Sequence, residues 1–380
     1  MSGGRRSDFR DRRSGLLAGY CAAMTTPASK TTLDFRSDTV TLPTEAMRQA
    51  MAEAELGDDQ YGEDPTVRRL EERSAALVGH EAAVLVASGI MGNLCSVLAH
   101  TQRGDEVILG ELSHIFQNEV GAYAVFGSLH SRTVPNQTAC PDLADLAAAI
   151  RPVAISFPRT GLICLENTHN WLSGAVVRPE QIRAVCDLAH ARQVPVHLDG
   201  ARIFNAAVAL GIDVRELTQP VDTVQFCFSK GLAAPVGSIV CGKRDVIERV
   251  RKFRKMVGGA MRQAGVIAAA CLVALNTMRE RLVEDHEHAQ KLARGLAEVP
   301  GVRIDPTKIE TNIVAFGLDD TVSGERFRDA CASRGLKLSC YGGNWRKLRM
   351  VTHWGLGPTE VDAALGVLRM AIAEAKGLVK

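Results

Sequence analysis

Apolar and polar positions follow two rhythms from about residue 55 onward. In "DPTVRRLEERSAALVG" (64–79) the apolar residues recur at helical spacing, Asp64 is placed to cap the first turn, and Pro65 occupies the first helical position. Short apolar blocks then alternate with further helical segments. "AAVLVASG", "DEVILG", "GLICLEN", "VPVHLDG", "DTVQFCF" and "GSIVCG" read as strands, and "NLCSVLAHT", "DLADLAAAI" and "PEQIRAVCDLAHARQ" as helices. Near-continuous apolar strands separated by helices predict an α/β fold, with a mainly parallel sheet covered on both faces. Ligands of such sheets sit beyond the carboxyl ends of the strands.

The rhythm changes after two long helical stretches, "AGVIAAACLVALNTMRERL" and "EDHEHAQKLARGLAEV". "TNIVAFGL", "GERFRDACASRG", "LKLSC", "KLRMVTHW" and "PTEVDAALGVLRMAIAEA" suit a smaller α+β domain. For 380 residues the expected organisation is a basic, disordered tail over 1–30, a large α/β domain over 31–278 and a small α+β domain over 279–380. In the first 23 residues, five arginines and two aspartates with no apolar core exclude a secretory signal. A tail, or a start at Met24, explains them more simply than an organelle transit peptide.

Composition narrows the function classes. The 45 basic and 43 acidic residues leave a formal charge of +2, which implies no nucleic-acid partner. The longest apolar run, "VIAAACLVAL", has ten residues where a membrane span needs about 20. Ten cysteines without a CxxC pair indicate a reducing, cytoplasmic setting with no disulfides and no metal site.

Two strand ends carry charge. "VPVHLDGARIF" puts Asp199 at the end of an apolar strand with Arg202 shortly after, and "DTVQFCFSKGLAAPVGS" ends a second strand at Lys230, where Gly231 lets the chain turn. A buried ion pair would account for both charges. A desolvated lysine is also a competent amine nucleophile that holds an aldehyde as a Schiff base. Pyridoxal 5'-phosphate (PLP) is the aldehyde that also needs a carboxylate for its ring nitrogen. The turn in "VLVASGIMGNL" offers a phosphate cradle, with the Ser88 hydroxyl and the backbone N–H groups of Gly89, Ile90 and Met91 at a helix start.

The motifs "DFRSDTVTLPTEAM", "GDDQYGEDPTV", "LENTHN", "HLDGARIFNAAVALG", "FSKGLAAPVGS" and "RKMVGGAMRQAG" resemble, in order and from about Leu33 to the carboxyl terminus, those of the low-specificity L-threonine aldolases. These belong to the β-eliminating lyase group of fold type I PLP enzymes. The resemblance implies a PLP Schiff base on Lys230, Asp199 as partner of the pyridinium nitrogen, and His114 stacked over the ring. His169 would stand near the substrate β-hydroxyl, whose proton goes to His169, His114 or a bound water. Ser37, Arg202 and Arg349 would hold the substrate carboxylate or nearby cofactor oxygens. Arg262 and Lys255 would reach the phosphate from an adjacent subunit of a homo-oligomer, a tetramer.

The remaining basic residues of "RVRKFRKM", Arg251, Lys252 and Arg254, read as a solvated helix face. Ile90 stands where the family commonly has threonine, and Trp171 and Leu172 fall where it varies, at the pocket for the substrate side chain. The reaction implied is retro-aldol cleavage of L-threonine, L-allo-threonine and related β-hydroxy amino acids to glycine and an aldehyde. Another PLP reaction on the same scaffold (β-elimination, racemisation or transamination) and a catalytically silent PLP-binding protein are the alternatives.

Overall fold

Seven of the chain's strands pair into one sheet that runs through its larger part. The structure, a computed structural model, describes residues 32–377; the basic tail expected over 1–30 lies outside them. The strands are β1 (Leu33–Asp34), β2 (Ala82–Val86), β3 (Glu106–Gly110), β4 (His130–Val134), β5 (Thr160–Glu166), β6 (Val196–Asp199), β7 (Thr223–Cys227), β8 (Ser238–Gly242), β9 (Val302–Arg303), β10 (Ile313–Leu318), β11 (Leu336–Lys337), β12 (Ser339–Tyr341) and β13 (Asn344–Val351). The main sheet has the order β2-β8-β7-β6-β5-β3-β4. Only β8 runs against its neighbours, β2 and β7; the other pairings are parallel, so six strands end on one edge.

The expected strands appear at their places because each is an apolar block buried on both faces, as in "TGLICLE" of β5 and "TVQFC" of β7, where every residue is buried. The sequence pattern missed β4, whose first four residues are exposed or half-exposed and which pairs only with β3 at the sheet edge. It also missed the helix Ile203–Leu210, whose residues are apolar almost throughout and therefore show no amphipathic period. The helix Pro65–Val78 is as expected: Asp64 caps it and Gly79 ends it at φ 74°.

A second, four-stranded antiparallel sheet, β12-β13-β10-β9, carries the helices Gly324–Ser333 and Pro358–Ala375. Its core is separate, running from Ala289 to Ala375, and it includes Phe35, while the core of the main sheet extends to Leu282. Residues 33–35 thus join the smaller unit through β1, which pairs with β11. The stretch after Phe35 crosses back to the edge where the parallel strands end.

The reading of Arg251 and Arg254 as solvated is corrected by the structure. On the helix Arg244–Met256, Arg254 is 2% exposed and pairs with Asp59 at 2.8 Å, and half-buried Arg251 pairs with Glu71 at 2.8 Å; Lys252 alone is exposed. A helix face rich in arginine covers apolar surface with its stems and still reaches acids beneath. The nine described cysteines are unpaired thiols, eight of them buried, and no described helix is long and apolar enough to cross a membrane.

Asp64 does more than cap a helix. One carboxylate oxygen accepts the N–H groups of Thr66 and Val67 at 3.1 and 3.0 Å, and the other those of Gly57 and Gly265 at 3.2 and 2.9 Å. Asp64→Ala leaves four backbone donors without this acceptor, so a loss of about 2–4 kcal/mol is expected, above that of a simple cap. Denaturant unfolding measures it, and a loss of a few tenths would show that the N–H groups of Gly57 and Gly265 find other partners.

Candidate active site

The edge where the parallel strands end collects most of the residues singled out in the sequence. Two glycines bring the first of them close. The helix Gly89–His100 lies so near the sheet that a Cβ at Gly92 would stand 2.6 Å from Gln225 Cγ, and one at Gly89 would stand 2.9 Å from Cys227 Sγ. At the start of this helix the Ser88 hydroxyl accepts the Met91 N–H at 3.2 Å. Met91 is therefore not an open donor, and the cradle reduces to the Gly89 and Ile90 N–H groups. Ile90 projects its side chain 42% exposed, so only its backbone serves the turn.

Asp199 is the last residue of β6 and is 2% exposed. Asn93, one turn along the helix from Gly89, donates to Asp199 Oδ2 at 2.9 Å, and the Ala201 N–H donates to Oδ1 at 3.1 Å. Lys230 lies three residues past the end of β7 and is half-buried rather than desolvated in the strand. Its amine is not among the ion pairs of the described residues, so it does not neutralise Asp199; its charge acts on Asp38. The left-handed position of its turn is Ala233, at φ 59°, and Gly231 packs instead against Leu282.

Both histidines follow strands, His114 opening the short helix His114–Gln117 and His169 preceding the turn Asn170–Leu172, and Glu166 ties the two segments together. Its oxygens accept the His114 N–H at 2.7 Å and the Asn170 N–H at 2.8 Å. His114 Nδ1 lies 2.9 Å from Glu119 Oε1, which also accepts from Asn93 at 2.8 Å. Burial pulls the His114 pKa down, but the bond to Glu119 and the charges of Asp199, Glu119 and Glu166 outweigh it and hold it above the ordinary imidazole value. Burial likewise raises Glu119. With Nδ1–H directed at Glu119, His114 keeps its Nε2 lone pair available, on a side chain 27% exposed.

His169 is different. It is 1% exposed, and the Asn136 amide, oriented because its Oδ1 accepts the Leu112 N–H at 2.9 Å, donates to His169 Nε2 at 2.8 Å. The neutral ring therefore carries its proton on Nδ1, which is buried without a partner. His169 is arranged as a donor, and His114 as an acceptor.

The two arginines also differ. The Nε and Nη2 of Arg202 donate to Asp38 at 2.7 and 2.6 Å, both groups being buried. Burial opposes the Asp38 charge, but Arg202 first, then Lys230 and Arg349, overcome it and hold the carboxyl far below its usual range. Most of the Arg202 fork is thus committed within the chain. Arg349, from β13 of the smaller unit, is in none of the ion pairs of the described residues, and its Nε is buried without a partner. Burial and the neighbouring Arg202 lower its pKa.

Ser37 is half-exposed and accepts the Thr39 N–H at 3.3 Å, beside Asp38. A wall closes this side: Trp171 stacks on Tyr341 with ring centroids 5.1 Å apart, donates to Asn118 at 2.8 Å, and Tyr341 donates to the Asn170 carbonyl at 3.1 Å. Lys255 is exposed, and Arg262 is 57% exposed, 3.6 Å from Asp58. Neither is hydrogen-bonded to the Ser88–Ile90 turn within the protomer.

Asp38, Asn93, Glu119, Asn136 and Glu166 escaped the reading of the sequence. Asp38 and Glu166 lie inside the quoted motifs, and Asn93 shares the helix face of Gly89, four residues on; nothing in the local pattern marks Glu119 or Asn136. As chemistry, the edge offers an amine without a counter-ion, a buried carboxylate, helix N–H groups for an anion, a guanidinium without a partner, and a histidine base backed by a carboxylate. This donor set suits an aldehyde cofactor with a phosphate and a basic ring nitrogen.

The fold is that of the fold type I PLP-dependent enzymes. Threonine aldolase from Leishmania major superposes with a TM-score of 0.76 at 17% identity, over 90% of this chain and 99% of that one. The β-eliminating lyase family matches residues 34–318, and the chain belongs to that family. Low-specificity L-threonine aldolase 1 of Arabidopsis thaliana is 44% identical over 346 residues, 90% of this chain and 96% of the relative. The low specificity L-threonine aldolase of Escherichia coli (strain K12) is 43% identical over 286 residues, 74% of this chain and 83% of the relative.

Replacing Asp38 by Asn leaves Arg202 buried without its anion, and a loss of about 3–5 kcal/mol is expected. Because the folded-state pKa of Asp38 is depressed, its contribution is full above the unfolded carboxylate value of about 4 and declines as pH falls below it. Unfolding of wild type and Asp38→Asn should therefore differ at pH 7 and converge in acid. A gap independent of pH would mean that packing, not charge, holds Arg202.

Proposed function

We propose that this chain catalyses the PLP-dependent retro-aldol cleavage of L-threonine, L-allo-threonine and related L-β-hydroxy-α-amino acids to glycine and an aldehyde such as acetaldehyde. Family membership and relatives of nearly equal length support the class of reaction. The observation that carries the substrate class is Arg349. A half-buried arginine whose Nε is buried and unpartnered, beside an Arg202 already committed to Asp38, suits a carboxylate that the chain does not contain.

Lys230 is the amine for the cofactor aldehyde, since no ion pair removes it from use. Asp199 holds the ring nitrogen protonated, and Ser88 with the Gly89 and Ile90 N–H groups receives the phosphate. His114 would cover the ring. PLP, when bound, supplies the electron sink for the pair left on Cα. Arg349 and Ser37 fix the substrate carboxylate, and Asp38 leaves the Nη1 of Arg202 for the same anion. His114 Nε2 takes the β-hydroxyl proton, the O–H electrons become the carbonyl of the leaving aldehyde, and the Cα–Cβ bond breaks. His169 Nδ1–H donates to an oxygen in the site, and a proton returned to Cα completes glycine.

Arg262 and Lys255, unattached to the cradle in the protomer, serve the phosphate of a neighbouring copy in a homotetramer. The exposed apolar side chains of Leu42, Tyr61, Val125 and Phe126 support such an assembly. The setting is cytoplasmic amino-acid metabolism, with threonine consumed and glycine formed.

Incubation with L-threonine and L-allo-threonine should yield acetaldehyde and glycine in equal amounts; pyruvate and ammonia instead would assign β-elimination. Borohydride reduction followed by peptide mass analysis should place the cofactor on Lys230, and Lys230→Ala should abolish that attachment. Arg349→Ala should lower kcat/KM about 100-fold or more, mostly through KM, a loss matching a charged hydrogen bond of about 3 kcal/mol.

The base must be unprotonated, so kcat/KM should rise with pH through a limb above the ordinary imidazole range. Glu119→Gln removes the anion that holds this value up and should move the limb to lower pH. A limb that stays in place would take the proton transfer away from His114.

A further inference from the structure

The polar groups beneath the helix Gly89–His100 form one chain of hydrogen bonds. Asn93 Nδ2 lies 2.8 Å from Glu119 Oε1 and 2.9 Å from Asp199 Oδ2, and Asn93 Oδ1 lies 3.1 Å from His197 Nε2. His197 Nδ1 is 2.9 Å from Thr223 Oγ1, which is 3.1 Å from His100 Nε2. Asn93, His197 and Thr223 are at most 2% exposed, so water does not relieve a wrong orientation.

Every proton in this chain follows by elimination. Ionised carboxylates only accept, so the Asn93 nitrogen must face them, and both of its hydrogens are engaged. Its oxygen is then an acceptor, so His197 Nε2 must carry a hydrogen. Burial pushes the His197 pKa down to about 3, which excludes a second ring proton at neutral pH. Nδ1 therefore accepts from the Thr223 hydroxyl, whose oxygen in turn accepts from His100 Nε2–H. All donors point toward Glu119 and Asp199.

We propose that Asn93 is a positioning residue that binds Glu119 and Asp199 as one unit, its amide locked in a single orientation by His197 and Thr223. The carboxylate beside His114 and the carboxylate assigned to the cofactor ring are thereby set by one side chain. This inference rests on the reading of the site given above for the role of Asp199. Without the amide, the two acids face each other with no donor between them, and Glu119, whose pKa burial and Asp199 already raise, takes up a proton more readily. His114, which faces Glu119, Asp199 and Glu166, then loses one of three negative neighbours.

A part played only in packing would lower stability without moving that titration. The test uses the full chain without cofactor, labelled with 15N at histidine. Long-range 1H–15N spectra of the wild type should show His197 protonated at Nε2 and bare at Nδ1; the opposite tautomer overturns the proposal and needs no substitution. Asn93→Leu, similar in volume and without donors, should lower the His114 midpoint by about one pH unit and weaken PLP binding about tenfold. Binding is read by fluorescence with PLP itself, independently of turnover. A folded Asn93→Leu protein with an unchanged His114 midpoint and unchanged PLP affinity also overturns the proposal. If that variant does not fold, the tautomer in the wild type decides.

Discussion

The site depends on how closely the helix Gly89–His100 lies on the sheet. At Gly92 and Gly89 no Cβ fits against Gln225 and Cys227, so the helix descends onto β7 where a larger residue would lift it away. Three consequences share that contact. The first N–H groups of the helix point over the strand ends, Asn93 reaches Asp199 on β6 and Glu119 beyond it, and the far end of the helix brings His100 to Thr223. Raising the helix by one methyl group would disturb the anion turn and the carboxylates together.

Charges at this edge divide into those answered within the chain and those left open. Arg202 and Arg254 are buried and paired with Asp38 and Asp59, which makes them parts of the frame. Lys230 and Arg349 stand beside them without counter-ions among the described residues, an arrangement that costs stability until a ligand supplies the missing charges. Asp38 limits that cost, because one buried carboxylate acts on Arg202, Lys230 and Arg349 at once. The open cations come from different units, Lys230 from the main sheet and Arg349 from β13, so a ligand that answers both also bridges the two cores.

Periodicity made most of the fold legible. Blocks such as "GLICLEN" and "DTVQFCF" are buried on both faces and carry the parallel sheet in their composition, and Asp64 with Pro65 marks a helix start to the residue. Two of the elements that escaped had no amphipathic signal: β4 is half in water, and the helix Ile203–Leu210 is apolar but for Asn205. In the site, residues placed at strand ends were legible because position alone implies the crevice, as with Asp199. Arg254 was misread because a guanidinium on an arginine-rich helix looks solvated until Asp59, 195 residues earlier, is folded beneath it. Asn136 acts through His169, 33 residues on, and Glu119 joins His114 to Asn93, 26 residues before it, pairings that no local pattern encodes.

A shared fold at 17% identity does not select a reaction, since the same scaffold serves several PLP chemistries. Selection lies in which protons the surrounding groups can take and which they can only give. His114 has its Nδ1–H turned to Glu119 and leaves a lone pair at Nε2, whereas the Asn136 amide blocks Nε2 of His169 and leaves it a donor at Nδ1. Two histidines beside one carboxylate, Glu166, are thus given opposite hydrogen-bonding roles by Glu119, five residues on from His114, and by Asn136, 33 residues before His169. One acceptor and one donor beside the same carboxylate match a reaction in which a hydroxyl gives up its proton and becomes a carbonyl, the step that separates aldol cleavage from the other reactions of this scaffold.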